Sequence, residues 1–310
     1  MNSIDIVIPC AGRAADLLRL LASLHQTCAA SLPLRVASIT VTDDRPSPEL
    51  AAQVHARFPA VNYVHGPARG PAVNRNHGAS RGGAAWLLFL DDDCYVQTDL
   101  LGNYARAMLA DGAADGAADG AADGAADGAA EVFEGAIHAV GPRPNGNHHA
   151  PLNTTGGCLW SCNVLVRRAV FEAVGRFDED FPFACMEDCD LRERLRARGA
   201  RIVFAQHAVV LHPWRSISER ELTRQIISHA IYASKHPTFV RDWSLLHALR
   251  MVWGRLQLYR SHRSEPVPWA KYRTVGYDLV TPFVLYAVIR LAPLRRALRA
   301  RHINRPALPA

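Results

Sequence analysis

The chain has 310 residues, 49% of them apolar, with seven cysteines and a net charge of +6. This suffices for one large or two smaller domains with a sizeable core. The odd, scattered cysteines suit reduced thiols in the cytosol, and the start Met1-Asn2-Ser3-Ile4-Asp5 carries no basic segment leading into an apolar one, so no secretory signal is expected.

Strands and helices alternate from the start. Ile4 to Pro9 reads as a strand, and Arg13 to Cys28 as a helix with Leu17, Leu20, Leu21 and Leu24 on one face. Leu34 to Thr42 is a second strand, ending at Asp43-Asp44. Pro48 to Phe58 is helical, Val61 to His65 is a short strand, and Ala72 to Ser80 is a helix. Next comes Trp86-Leu87-Leu88-Phe89-Leu90-Asp91-Asp92-Asp93, an apolar run that stops at three carboxylates. The apolar part predicts a buried parallel strand, with the acids at its carboxyl end, where open α/β sheets bind ligands. Three adjacent like charges repel one another, so a hard divalent cation held by oxygen ligands is the natural companion. This rhythm predicts a mostly parallel sheet with helices on both faces.

Residues 111–130 are five copies of Asp-Gly-Ala-Ala. Glycine at every fourth position disfavours helix, and nothing large is available to bury, so a surface loop insertion spanning about 110–131 is expected. After it, Val132 to Val140 reads as a strand and Gly141 to Asn153 as a loop. Gly156 to Val166 reads as a strand with a glycine-rich entry, and Arg168 to Val174 as a short helix. Glu187 to Arg198 is helical, and Arg201 to Leu211 supplies one or two strands. Cys158/Cys162 and Cys185/Cys189 share a four-residue step, which is not the spacing of a usual zinc knuckle; small buried residues are the plainer reading. Ser218 to Lys235 is a helix opened by a capping box of Ser218 and Glu221.

The chain divides into an α/β domain, residues 1–215, and a helical basic region, residues 216–310. From Phe239 onward, arginines and lysines far outnumber Asp242, Glu265 and Asp278. With Trp, Leu, Val and Tyr abundant there and no nucleic-acid motif in sight, an anionic membrane surface is the expected partner, not nucleic acid. Leu245, Leu249, Val252, Leu256 and Tyr259 form one helical stripe, and Leu279 to Ile289 is apolar but too short to span a bilayer. An interfacial helix and an ordinary core helix both satisfy these patterns. The expected location is cytoplasmic, peripheral at the inner face of the cell membrane.

Seven segments together resemble the inverting family 2 glycosyltransferases: Ile6 to Arg13, Val41 to Asp44, Ala72 to Gly78, Leu88 to Asp93, Gly156 to Asn163, Phe177 to Phe181 and Glu187 to Leu191. The likeness extends over about residues 3–215. It implies a GT-A fold of Rossmann-like type with a C-terminal helical extension, and transfer of a sugar from a nucleotide-diphospho-sugar, a UDP-sugar being favoured, to a hydroxyl of a glycan or lipid-linked acceptor. By the same resemblance Pro9, Ala11 and Arg13 line the nucleotide pocket, and Asp44 pairs with the base ring, with Asp43 beside it. Arg75 faces the donor. Asp91, Asp92 and Asp93 form the DXD motif: Asp93 binds Mn²⁺ or Mg²⁺, Asp91 serves the ribose side and the metal, and Asp92 completes the donor site. His212 completes the metal shell, and Asp188, with Glu187, is the catalytic base. From chemistry alone, a diphosphate leaves readily once its charge is neutralised, and a single carboxylate suffices as base for one inverting displacement. A base in the first turn of a helix is expected to be held ionised by the helix dipole.

The sequence departs from the family at Arg45-Pro46-Ser47, where Gly-Ser is usual, and the Gln-x-x-Arg-Trp motif of processive synthases has only Trp214-Arg215 as its nearest fragment. Single transfers are therefore expected. The rival reading is a non-catalytic sugar-nucleotide-binding or scaffold protein of the same fold. A dehydrogenase is disfavoured because no Gly-x-Gly-x-x-Gly follows the first strand.

Overall fold

The opening apolar alternation becomes β1 (Asn2–Cys10), which sends Ile4, Ile6 and Ile8 to one face of a sheet and Val7 to the other. The computed structural model describes residues 2–28, 34–112, 128–262 and 265–303. In chain order β1 is followed by α1 (Ala14–Cys28), β2 (Leu34–Asp43), α2 (Pro48–Arg57), β3 (Val61–His65), α3 (Pro71–Ala79), β4 (Trp86–Leu90), the short β5 (Tyr95–Val96) and α4 (Leu100–Ala110). Then come β6 (Val132–Ala139), the short β7 (His148–His149), β8 (Asn163–Arg167), α5 (Arg168–Ala173), α6 (Glu187–Ala197), β9 (Ile202–His212) and the short β10 (Arg215–Ser216). The chain continues through α7 (Glu219–Lys235), α8 (Pro237–Asp242), α9 (Leu245–Ser261), α10 (Tyr272–Arg290) and α11 (Ala292–Ile303).

Eight strands form one sheet in the order β3-β2-β1-β4-β8-β6-β9-β5. The first four are parallel, as are β6 and β9; β8 runs antiparallel to both its neighbours, and β5 runs antiparallel to β9. Trp86, Leu88 and Leu90 of β4 pack with residues of α1, α2 and α4, whereas Leu87 and Phe89 pack with residues of α3, α5 and α6. A strand buried on both faces needs apolar residues at every position, which explains the unbroken apolar run.

Local chemistry sets several boundaries. The Ser47 hydroxyl accepts from the Leu50 N–H, and Pro48 opens α2. At α7 the expected capping box is present: Ser218 Oγ accepts from the Glu221 N–H, and the Glu221 carboxylate accepts from the Ser218 N–H. Ser218→Ala is expected to cost about 1 kcal/mol, read from the shift in a urea unfolding midpoint.

Three sequence expectations differ from the structure. The strand expected from Gly156 begins only at Asn163, because Gly156, Gly157 and Leu159 have φ of 82°, 92° and 52°, incompatible with extended pairing. The apolar helix expected over 279–289 runs from Tyr272 to Arg290. It continues back through Asp278 because that carboxylate is buried against Arg255 Nε at 2.6 Å and Tyr259 at 3.2 Å. The stripe on α9 is split: Leu245, Leu249 and Leu256 are exposed, while Val252 and Tyr259 are partly covered. The ends of the Asp-Gly-Ala-Ala repeat lie together, with the Ala130 N–H donating to Asp111 at 2.5 Å. The loop expected between them, at 113–127, lies outside the described residues.

Candidate active site

Going out from β1 the chain adds β2 and β3 on one side, then returns to place β4 on the other. The carboxyl ends of β1 and β4 therefore flank a topological switch point, the usual crevice for ligands in open α/β sheets. Pro9 lies in β1, and Ala11 and Arg13 are exposed just beyond it. Asp43 ends β2 fully buried: its carboxylate accepts from the Gly12 N–H at 3.2 Å, the Arg45 N–H at 2.9 Å and the Tyr63 hydroxyl at 2.6 Å. Asp44 turns to the β3–α3 loop and accepts from the Ala68 N–H at 2.9 Å and the Gly70 N–H at 3.3 Å; burial pushes its pKa up. A side chain at Gly66 would strike Asp44 and Asn74, so the loop closes this tightly only with glycine there. The two acids thus brace the loops that rim the crevice.

At the end of β4 the three acids point to different partners. Asp91 accepts from Arg75 at 2.8 Å. Asp92 is buried beside Arg13 at 3.1 Å, and burial, with Asp93 and Asp91 adding to it against Arg13, pushes it up to about 7. Asp93 moves the other way. Burial alone would raise it, but His212, Arg13 at 2.7 Å and Arg215 at 3.0 Å hold it well below the usual carboxylate range. His212 reaches Asp93 because β5, one residue beyond Cys94, pairs with Val210 and Leu211 of β9. His207, the other histidine near this strand, is exposed where β9 bulges between Ala205 and Val209 and lies away from the strand end.

His212 Nε2 lies 3.2 Å from Asp93 Oδ1, a buried oxygen with no hydrogen bond. The His212 Nδ1 nitrogen is 2.8 Å from the Pro213 carbonyl, to which its N–H donates, while Nε2 faces the Asp93 carboxylate; burial lowers the His212 pKa, but the Asp93 carboxylate outweighs it and raises it. A backbone partner of this kind orients metal-bound histidines. Asp93 and His212 are donors of the type that divalent cations accept. Among the described residues no group of three His, Cys, Asp or Glu side chains is gathered at ligand spacing, the cysteines included. Of the three expected ligands, Asp93 and His212 face each other, whereas Asp91 is engaged by Arg75 at 2.8 Å.

Arg75 sits at the centre of the cleft. It is buried on α3, donates to Asp91 at 2.8 Å and to Glu187 at 2.9 Å, and lies over the Phe177 ring. Glu187 and Asp188 open α6, just after Met186, whose φ of 71° is left-handed for a side chain with a Cβ. Such backbone strain collects at functional sites. Asp188 accepts from the Ser161 N–H at 3.2 Å through Oδ2, while its buried Oδ1 has no hydrogen-bond partner. The helix-dipole expectation needs correction here. Burial outweighs the favourable charge of Arg75 and pushes the pKa values of both Glu187 and Asp188 up from their ordinary values. For Arg75, burial opposes the charge, but Asp91, Asp188 and Glu187 overcome it and hold the guanidinium charged.

Two contributors escaped the sequence reading. Arg215, held between Asp16 and Asp93, adds positive charge to the crevice. Glu134 is buried in β6 and its carboxylate accepts from the N–H groups of Gly157 and Leu159 and from Asn153. It fixes the left-handed loop that carries Ser161 to Asp188. The signal was present as a lone carboxylate inside the apolar run Val132-Phe133-Glu134-Gly135-Ala136-Ile137.

The sequence profile of glycosyl transferase family 2 matches residues 5–175. The N-acetylglucosaminyl-diphospho-decaprenol L-rhamnosyltransferase of Mycobacterium tuberculosis (strain CDC 1551 / Oshkosh) is 33% identical over 122 residues, 36% of this chain and 38% of the relative. The chain thus spans 38% of the length of the curated relatives it matches. S. aureus TarS 1-349 in complex with UDP is similar over 97% of this chain and 88% of that one, with a TM-score of 0.52 and 15% identity. The mannosyltransferase PcManGT from Pyrobaculum calidifontis, in complex with GDP-Man and Mn²⁺, is similar over 97% and 87%, with a TM-score of 0.51 and 13% identity. At these identities the structural likeness is one of fold, the GT-A fold.

Proposed function

Because this chain belongs to glycosyl transferase family 2 and is a glycosyltransferase of GT-A fold, we propose that it is a metal-assisted inverting enzyme with Asp188 as its base. The donor is a nucleotide-diphospho-sugar, and the acceptor is a hydroxyl of a glycan or lipid-linked glycan. The UDP of the TarS complex and the diphospho-decaprenol in the rhamnosyltransferase's name support a UDP-sugar and a lipid-linked acceptor. The observation that carries the reading is Arg75, which touches Asp91 at 2.8 Å and Glu187 at 2.9 Å. One buried side chain thereby ties the acids at the end of β4 to the acids at the start of α6.

Pro9, Ala11, Asp43 and Asp44 frame the pocket for the nucleoside, and Asp91 and Asp92 border the donor. Asp93 and His212 would hold Mn²⁺ or Mg²⁺, which supplies Lewis-acid neutralisation of the departing diphosphate. Arg13 and Arg215, already drawn to Asp93, bring two further positive charges to the same place. Asp188 takes the proton of the acceptor hydroxyl. The acceptor oxygen then forms its bond to the anomeric carbon as the bond from that carbon to the diphosphate oxygen breaks, and a single in-line displacement inverts the centre. Glu187 keeps Arg75 in position, and Arg75 in turn steadies the ionised form of Asp188. The raised pKa of Asp188 makes it a stronger base than an exposed aspartate.

Calorimetric titration of UDP into the protein, with and without Mn²⁺, tests the donor site. Wild type is expected to bind UDP more tightly with the cation present, and Asp93→Ala to lose that enhancement. The variant should also melt lower, because Arg13, Arg215 and His212 lose their buried acidic partner, so binding is compared at a temperature where both proteins are folded. Equal cation dependence in the variant would remove Asp93 from the metal site. A scaffold protein of the same fold would bind UDP yet release no sugar from any donor in a panel of nucleotide-sugars.

A further inference from the structure

We propose that the outer face of α9 and α10 is a docking surface for an anionic lipid bilayer, resting on the surface without crossing it. All but three of the exposed large apolar side chains among the described residues lie between Leu245 and Leu294. On α9 the exposed Leu245, Leu249, Trp253 and Leu256 recur at helical spacing along one side of the helix, next to the line of the buried Ala248. On α10, Val280, Phe283 and Val284 are exposed, whereas Thr274, Asp278, Thr281 and Leu285 face inward. Trp253 is 60% exposed and Trp269, just before α10, is 85% exposed. A water-soluble surface seldom leaves two tryptophans so bare, and amphipathic indole rings favour the headgroup level of a bilayer.

Charge selects the occupant. Arg250 and Arg260 on α9 and Arg296 and Arg301 on α11 are exposed and have no acidic partner among the described residues. Of the three acids between Phe239 and Ile303, Asp278 is buried and already committed to Arg255, Asp242 is exposed beside Arg241 at 3.5 Å, and Glu265 is exposed between α9 and α10. Exposed apolar residues accompanied by unpaired arginines match an anionic headgroup layer over a hydrocarbon layer. A second copy of this chain would bring another set of unpaired arginines to the same face, against only two exposed acids in this region, Asp242 and Glu265. Among the described residues no single helix is long and apolar enough to cross a membrane; α10 and α11 pass that test only as a pair bent by 96°. The inward face of α10 packs on α7 and α9 and buries Asp278, which ties the helix to the protein surface.

The surface connects to the site through packed elements. Tyr259 of α9 lies against Gly146, in the loop that leads to β7. His149 of β7 pairs with Arg215 of β10, and Arg215 reaches Asp93. Docking through α9 therefore sets the position of the crevice relative to the bilayer, where a lipid-linked acceptor would be held. The docking inference stands on the exposed face and does not depend on the transfer reading.

Flotation of the full chain with vesicles of phosphatidylcholine, with and without phosphatidylglycerol, tests it. The protein is expected to float with the anionic vesicles at low salt, to be released as salt rises, and to stay down with neutral vesicles. The pairs Trp253→Ser with Phe283→Ser, and Arg250→Ser with Arg260→Ser, should each weaken binding about tenfold. These side chains are exposed, so UDP binding and melting temperature should stay at wild-type values. Wild-type protein that stays down with anionic vesicles at low salt overturns the proposal. So does a dimer in sedimentation that Trp253→Ser dissociates, because the face would then be covered by a second copy. Loss of UDP binding in wild type would count against the transfer reading alone.

Discussion

Asp188→Asn is expected to lower sugar transfer by a factor of roughly 10² to 10⁴, the usual contribution of a general base, with donor affinity nearly unchanged. Asparagine keeps the size of the side chain and can still accept from the Ser161 N–H through its amide oxygen, but it has no basic lone pair for the hydroxyl proton. The pH profile supplies a second reading. A base must be ionised to work, and burial pushes the Asp188 pKa up. Activity should therefore fall as pH drops through a value above that of an exposed aspartate, about 3.9, and be full on the alkaline side of it. Glu187→Gln, by contrast, keeps the base and alters its support. Glu187 accepts from Arg75, so its loss should move the acid limb of the profile more than it lowers the plateau. Transfer near the wild-type rate in Asp188→Asn would reduce Asp188 to an acid at a helix start, and a limb at the ordinary aspartate value would remove the part assigned to burial.

Much of this arrangement was legible in the sequence, and the reasons are local. The run from Trp86 to Asp93 names its own place, because five consecutive apolar residues followed by acids describe a strand buried on both faces and ending at a crevice. Ser47 and Ser218 announce helix starts that hydrogen bonding realises. What stayed hidden depends on contacts distant in sequence. The two-residue strand Tyr95–Val96 has no signature of its own, yet its pairing with β9 brings His212 to Asp93. The direction of the α9 stripe could not be read either, since a stripe shows that one face is apolar and leaves open whether that face meets the protein or the outside. Asp278 borders the apolar run 279–289 in sequence, but its distant partner Arg255 lets the helix continue through it. The pKa of Asp188 was misjudged for the same reason. The helix N-terminus is visible in sequence, whereas the burial that overrides it is a property of the packed cleft.

Arg75→Met should be the most destabilising single change in the crevice, and its cost should grow with pH. Methionine keeps much of the length and the contact with Phe177 but removes the cation. Asp91 and Glu187 then lose their charged partner, and the half-buried Asp188 loses the positive charge that favours its ionised form. Breaking a buried ion pair by removing one partner typically costs about 3–5 kcal/mol. The sign of the pH dependence follows from Glu187 and Asp188, whose folded-state pKa values are already raised by burial and rise further without Arg75. As pH rises between the unfolded and the folded values, the folded state binds more protons than the unfolded one, so stability falls with increasing pH. In acid, below the unfolded carboxylate range, the groups are protonated in both states and the variant should lie closest to wild type. Urea unfolding of Arg75→Met and wild type at pH 5 and pH 8 measures this, with the larger gap expected at pH 8. Adding Glu187→Gln removes one uncompensated charge and should recover part of the loss at the higher pH. If Arg75 instead served only to face the donor, its replacement would weaken UDP binding and leave both unfolding midpoints where they were, and the second substitution would rescue nothing.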